Sequence, residues 1–389
     1  MHSILRPLQE QYDIHYIGIG YRDVIKDDGI TFYPANPNHN DIWGALQGKA
    51  FVETRQPDIV FLLNDHQFLR SYLVHEPYKT KTKVVAYMPL DGTITESRSF
   101  AHMNGIAQIV AYNEFGCKEF QRVGTYLEQA SDEFVCPPIK AIPHGVDTER
   151  FYPLSGSVPD HSCAVRRRTA RQALFPDDPQ WQDAFIVLNA NMAQPRKRID
   201  LTIEGFARFA QDKPANVKLY LHHAILRDKE YQELLELAQQ HGIADRLNLV
   251  PIAEHGERGF SDEALNLLYN ACDVGLNTSL GEGWGMISFE HGATGAAQIV
   301  PNHSACAELW PGAAELVDPV ESVQLRGFPQ QMAAVSAEGV AEALERLYHD
   351  PDYRQQMARA AYQLATQPQF SWANIADQWD QLFQEVLNR

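Results

Sequence analysis

The sequence predicts an α/β protein of two Rossmann-like domains, and three observations carry that expectation. Short, continuously apolar runs alternate with helical stretches, the pattern of βα units around a buried parallel sheet. The rhythm restarts near residue 184, after an irregular stretch rich in Pro, Ser and Asp. With 389 residues the chain is also too long for one ordinary hydrophobic core.

In chain order, "HSILRPLQEQYD" reads as a helix, although a doubly wound domain opens with a strand and a glycine-rich turn. The first strand is therefore expected to be absent, and Met1 to be an internal start with roughly 15–20 residues upstream. Gly18 and Gly20 in "YIGIGY" read as an end-of-strand turn and do not supply the missing loop. Strands follow in "PDIVFLLND", "TKVVAYMPL", "IAQIVAYN" and "IKAIPHGV", with helices in "DIWGALQGKAFVETRQ" and "EFGCKEFQRVG". This first domain spans 1–155. Residues 156–183 read as a linker or surface excursion, and the Arg166–Arg168 cluster in it as a solvated face.

The second domain, 184–369, runs through "AFIVLNANM", "IDLTIEGFARFAQ", "VKLYLHHAI", "KEYQELLELAQQHG", "LNLVPI", "DEALNLLYNAC" and "VGLNTS". Residues 370–389 form an amphipathic helix in which Trp372, Ile375, Trp379, Leu382 and Phe383 recur at helical spacing and call for a partner surface.

Fifty acidic against 33 basic residues leave a formal charge of −17, which repels nucleic acid and anionic lipid and gives no indication of peripheral membrane contact. The five cysteines are scattered, odd in number and without a CxxC pair, so they signal neither a disulfide framework nor a zinc site, and a reducing cytoplasm is expected. No apolar run approaches the roughly 18 residues that cross a bilayer. Adjacent His222 and His223 on a strand would point to opposite faces and make a poor chelate, so no metal is expected.

The segment that carries chemistry is "LNTSLGEGWGMISFEHGATGAA" (276–297): a strand, a glycine turn and a small-residue helix. A helix N-terminus above a sheet favours phosphate. Gly281, Gly283 and Gly285 let a ligand approach the main chain, Glu282 can accept hydrogen bonds from sugar hydroxyls, and Glu290, one turn into the helix, can reach a ribose diol. The plainer alternatives are a solvated loop carboxylate at Glu282 and a first-turn charge at Glu290.

"GEGWGMISFEHGATG" resembles the Glu-x7-Glu signature of the retaining glycosyltransferases of family 4, two-domain enzymes of the GT-B fold that use nucleotide-sugar donors. The resemblance implies two Rossmann-like domains facing across a cleft and a C-terminal helix crossing back to the first. It implies that Glu282 contacts the transferred sugar, Glu290 the ribose, and the turn amides of Gly283, Trp284, Gly285, Met286 and Ile287 the sugar and distal phosphate. "NANMAQPRKRIDLTIEGFARF" is similar to the family's diphosphate-binding stretch, with Asn191 at the strand end and Lys197 on the lysine; Asp200 and Phe206 fall on its helix positions. Met192 stands where the family carries an arginine, so Arg196 or Arg198 would have to supply the second cation.

"IPHGVDTERFYP" resembles the segment that closes the family's first domain, placing His144 toward the cleft, Gly145 in the turn and Asp147 as a cap. Asp91, ending "VVAYMPLD", lies where many relatives carry a cleft-facing histidine and is the candidate polar group on the reacting face; a turn-forming aspartate is the alternative. "FSWANIADQW" looks like the family's closing helix.

The implied function is metal-independent retaining transfer of a hexose-type unit from a nucleoside-diphosphate sugar to a hydroxyl of a carbohydrate, lipid-linked or protein acceptor. No cofactor beyond the donor substrate is needed. Glu282, Lys197 and Asp91 are the catalytic candidates, and main-chain contacts in "VPIAEHGERGF" would select the base. The rival from another class is a catalytically silent GT-B protein that binds a nucleotide sugar. An epimerase or phosphorylase-like enzyme of the same architecture is the third option, and no pyridoxal-binding lysine context supports the latter.

Overall fold

The computed structural model describes residues 2–19, 21, 23–27, 29–35, 41–154, 163–222, 228–249 and 260–389. It divides into two compact units, one of Met1–Gly145, Gly327–Gln330 and Gln369–Arg389, the other of Val146–Arg326 and Gln331–Pro368.

In the first unit the helix His2–Leu8 precedes a small sheet of β1 (His15–Gly18), β2 (Ile25–Asp27) and β3 (Ile30–Pro34), in the order β1-β3-β2. β1 runs parallel and β2 antiparallel to β3. Sequence reading passed over the β2–β3 hairpin because β2 is exposed along its whole length and shows no apolar alternation.

A second sheet comprises β4 (Ile59–Leu63), β5 (Lys83–Met88), β7 (Gln108–Ala111) and β8 (Ile139–Ala141), all parallel in the order β4-β5-β7-β8, with the two-residue β6 (Thr93–Ile94) after β5. Val84 to Met88 are all buried, as a strand covered on both faces requires. The C-terminal helix Trp372–Leu387 belongs to this unit and buries Ile375, Trp379, Leu382 and Phe383. Trp379 meets Phe61 and Tyr87 edge-on at 4.7 and 4.8 Å, and the Lys83 ammonium caps the helix by donating to the carbonyls of Val386 and Leu387.

The second unit is built on six parallel strands: β9 (Phe185–Asn189), β10 (Val217–Leu221), β11 (Leu247–Leu249), β12 (Val274–Leu276), β13 (Ala297–Pro301) and β14 (Glu315–Val317). Their order is β11-β10-β9-β12-β13-β14. The chain lays β10 and β11 on one side of β9, then returns to place β12 on the other. In open α/β sheets ligands bind beyond the carboxyl ends of the strands at such a reversal, which here lies at β9 and β12. An antiparallel hairpin of β15 (Pro319–Gln324) and β16 (Gln330–Val335) follows.

Two sequence expectations change here. Within the stretch read as a linker, residues 163–174 form the helix Cys163–Leu174, packed on the helix Asp262–Ala271 of the second unit. Its arginines are not a solvated face, apart from the exposed Arg168. Arg171 donates to the Ala271 carbonyl at 2.8 Å, Arg167 to that of Cys272 and Arg166 to that of Gly295, so guanidinium groups satisfy carbonyls at a helix C-terminus. Buried Asp273 is their counter-charge, 2.5 Å from Arg171, and also accepts from the Ile186 N–H on β9. Burial alone would raise its pKa, but Arg171 and Arg167 hold it below the usual carboxylate range. Asp273→Ala is expected to lower unfolding free energy by about 3–5 kcal/mol by leaving buried guanidinium charge unpaired, measured by urea denaturation.

Candidate functional site

Two loops follow the carboxyl ends of β9 and β12, 190–198 and 277–285, and hydrogen bonds latch them together. The Leu280 N–H donates to the Arg196 carbonyl at 2.7 Å, Arg196 Nη1 donates to the Gly281 carbonyl at 2.9 Å, and the Thr278 hydroxyl lies 3.1 and 2.9 Å from the carbonyl oxygens of Lys197 and Arg198. Beneath them Thr202 links the Thr278 hydroxyl to the Asn189 side chain, and Asn189 in turn accepts from the main-chain and side-chain N–H of Asn191.

Glu282 sits buried at the centre. Its Oε1 accepts from Lys197 Nζ at 2.6 Å, Ser279 Oγ at 2.7 Å and Asn277 Nδ2 at 3.0 Å, and Arg196 Nη1 stands 3.9 Å from Oε2. Burial alone would raise the carboxyl pKa; the charges of Lys197 and Arg196, with the hydrogen bonds, overcome that and hold it at about 2. The group is therefore a fixed carboxylate between two cations. Ser304 Oγ accepts from the Glu282 N–H at 3.1 Å, and Ser304 itself is held at φ 48°, a strained value for a residue with a side chain.

Gly285 begins the helix Met286–Ala293 at φ 91°, a left-handed conformation that favours glycine and turns the chain sharply upward from the loop. Met286 and Ile287 lie in the first turn, where backbone N–H groups have no partner within the helix and the dipole is positive. Gly283 and Trp284 are buried, and the Trp284 ring stacks on Phe289 at 4.9 Å, so this residue anchors the turn through its side chain. Glu290 follows on the same helix and accepts a 3.0 Å hydrogen bond from the Tyr269 hydroxyl. Burial, then the nearby Asp262 and Asp147, push its pKa up to about 7 against the opposing effect of that bond.

The structure thus brings Asn191, Arg196, Lys197, Glu282 and the turn 283–287 together beyond the carboxyl ends of β9 and β12, with Glu290 further along the same helix. Met192 is half exposed, and the second cation beside Glu282 is Arg196. Arg198 is instead held by a two-pronged contact to Asp200.

Asp91, His144 and Gly145 belong to the first unit. The Asp91 N–H donates to the Gln330 side chain at 3.2 Å. The His144 ring meets Trp372 edge-on at 4.9 Å, lies 5.6 Å from Tyr112 and bonds the Gly145 carbonyl; burial lowers its pKa to about 4, so it is neutral. Gly145 was expected for its turn. A Cβ there would lie 2.6 Å from the Trp372 ring, so the glycine serves close approach of that side chain. Asp147, in the second unit, caps as expected by accepting from the N–H groups of Glu149 and Arg150.

Residues 250–259, expected to select the base, lie outside the described residues, as does His223. Among the described residues no cluster of His, Cys, Asp and Glu could hold a metal ion, and no helix is long and apolar enough to cross a membrane. Sequence reasoning missed Asn277, Ser279, Ser304 and Tyr269. The alternation of Asn277 and Ser279 just ahead of Glu282 was the available signal, since both small polar residues precede a turn expected to hold a carboxylate.

A family described as glycosyl transferase-like matches residues 221–381. The chain is 23% identical over 385 residues, 94% of its length, to the serotype-specific mannosyltransferase WbdA of Escherichia coli, and spans 42% of that relative. It is 30% identical over 169 residues, 41% of its length and 31% of the relative's, to a D-inositol 3-phosphate glycosyltransferase of Geodermatophilus obscurus. The chain therefore spans less than half the length of these curated relatives. Among solved structures, the sucrose-phosphate synthase of Thermosynechococcus elongatus matches with TM-score 0.73 and 17% identity over 100% of this chain and 92% of that one. Anabaena HepE, solved with UDP and glucose, matches with TM-score 0.68 and 14% identity over 98% and 94%. Fold and matched segment agree: the chain has the GT-B fold of these structures, and its residues 221–381 match the glycosyl transferase-like family.

Proposed function

We propose that the chain is a retaining, metal-independent hexosyltransferase whose nucleotide-sugar donor sits beyond the carboxyl ends of β9 and β12. One observation carries the reading: Arg196, Lys197, Glu282 and the N-terminus of the helix Met286–Ala293 converge where the sheet order reverses. The cations and first-turn amides suit a diphosphate leaving group, and Glu290 suits the ribose. The mannosyltransferase relatives and the UDP-glucose complex of Anabaena HepE support a hexose on a nucleoside diphosphate.

In the proposed reaction the bond from the sugar C1 to the distal phosphate oxygen breaks, and the acceptor oxygen bonds C1 on the same face. Glu282 is a poor nucleophile, since its Oε1 already accepts from three donors and its pKa is held low. The departing phosphate is therefore the group that takes the acceptor proton. Lys197, Arg196 and the amides stabilise the charge that develops on it. We place the protein in the cytoplasm, in keeping with five cysteines that are scattered, odd in number and without a CxxC pair.

The test is a panel of UDP-, GDP- and ADP-linked hexoses, mannosyl donors included, with slow donor hydrolysis followed and the released sugar's anomer read by NMR. Hydrolysis of one donor in the presence of a chelator, with the anomeric configuration kept, is expected. Silence across the panel together with donor-induced thermal stabilisation would overturn the enzyme in favour of a binding protein.

A further inference from the structure

We propose that Tyr269 is a positioning residue for donor recognition: its hydroxyl, bound to Oε2 of Glu290, holds the carboxylate in place and leaves Oε1 to accept from the ribose diol. The proposal rests on the donor reading above and deepens it.

Tyr269 lies in the last turn of the helix Asp262–Ala271 and is fully buried. Its ring stacks on His291 at 5.3 Å and 24°, with Phe151 at 5.5 Å on another side. The His291 side chain hydrogen bonds the Tyr269 backbone, and the Tyr269 hydroxyl donates to Glu290 at 3.0 Å. One residue thus ties down two neighbours on the helix that would carry the donor. A phenylalanine would stack equally well, so the hydroxyl is needed for its hydrogen bond and not for packing.

The charges around Glu290 make this bond consequential. The helix Asp262–Ala271 presents Asp262, and the segment after the first unit presents Asp147; Arg150 bridges the two at 2.7 and 2.9 Å. His291 on its own helix is neutral, with Arg166 and Arg167 on its side. Two aspartates and burial oppose ionisation of Glu290, and the Tyr269 hydrogen bond favours it. Because the folded carboxyl titrates near neutrality, the acceptor form of Glu290 is complete above that range and lost as pH falls through it. Donor affinity should follow.

The experiment is calorimetric titration of the full chain with the donor the panel selects, between about pH 5.5 and 8.5, where a sugar nucleotide's diphosphate diester does not titrate. Wild type is expected to bind more tightly as pH rises. Tyr269→Phe should displace that limb to higher pH, weaken binding about fivefold to tenfold at neutral pH, and raise KM with kcat little changed. Glu290→Gln should flatten the limb. A Tyr269→Phe chain that keeps the wild-type limb and affinity overturns the proposal while leaving the donor reading intact, even if its Tm falls. Absence of donor binding by wild type at every pH overturns the donor reading and the proposal with it.

Discussion

Glu282→Gln is expected to cost about 3–5 kcal/mol of stability and at least about a hundredfold in transfer, because it removes the counter-charge of a buried ammonium at the centre of the site. Lys197 is 8% exposed and its Nζ lies 2.6 Å from Glu282 Oε1, so the neutral amide strands a cation away from water. The same ion pair joins the loop after β9 to the loop after β12, and its loss loosens both. A carboxyl pKa held at about 2 means that this stabilisation is complete above the ordinary carboxylate range and disappears as pH falls toward 2.

The double variant Glu282→Gln with Lys197→Met separates structure from chemistry. Removing both charges relieves the unpaired cation, so denaturant midpoints should return most of the way to wild type while donor hydrolysis stays lost. Recovery of hydrolysis along with stability would show that neither charge takes part in transfer.

Glu290→Gln has the opposite stability signature. The folded-state pKa of Glu290 is raised to about 7, so the native protein binds a proton there that the unfolded chain releases near its ordinary value. Stability contributed by the protonated form is present below the unfolded pKa and lost as pH rises through the folded one. At pH above that window the native state carries a buried carboxylate facing Asp262 and Asp147. The amide removes that cost, so Glu290→Gln is expected to stabilise the unliganded chain by up to about 3 kcal/mol at mildly alkaline pH and by nearly nothing at acid pH. Donor affinity should fall in the same variant, by about tenfold or more, since the carboxylate proposed to bind the ribose diol is gone. Unfolding curves at the two pH values, alongside donor titration, test both halves. Such a pairing marks a residue kept for binding at the expense of stability.

Much of the second unit was legible because its chemistry lies close to sequence order. Continuous apolar runs marked β9 and β12, and glycine freedom was visible in the turn that Gly285 closes. What could not be read depends on contacts between distant segments. Lys197 and Glu282 are 85 positions apart, and no spacing rule shows that one neutralises the other. Tyr269 stood in a run with ordinary helical periodicity, and its hydroxyl matters only because the helices Asp262–Ala271 and Met286–Ala293 pack side by side.

The arginines from Arg166 to Arg168 looked like a solvated charge run. Two of them reach carbonyls about 105 and 129 positions away, which local composition cannot reveal. Met192 looked like the loss of a cation, yet the loop turns so that Arg196, four residues on, stands beside Glu282. In the first unit, Gly145 showed as a turn residue, and the reason for it, the Trp372 ring, lies more than two hundred residues away.

The most direct test of the donor pocket is the structure of the full chain with a bound nucleoside diphosphate. Phosphate oxygens are expected on Lys197, Arg196 and the amides of Met286 and Ile287, with the ribose hydroxyls on Glu290. A nucleotide seated away from the carboxyl ends of β9 and β12, or one whose ribose leaves Glu290 untouched and still bound only to Tyr269, would contradict it.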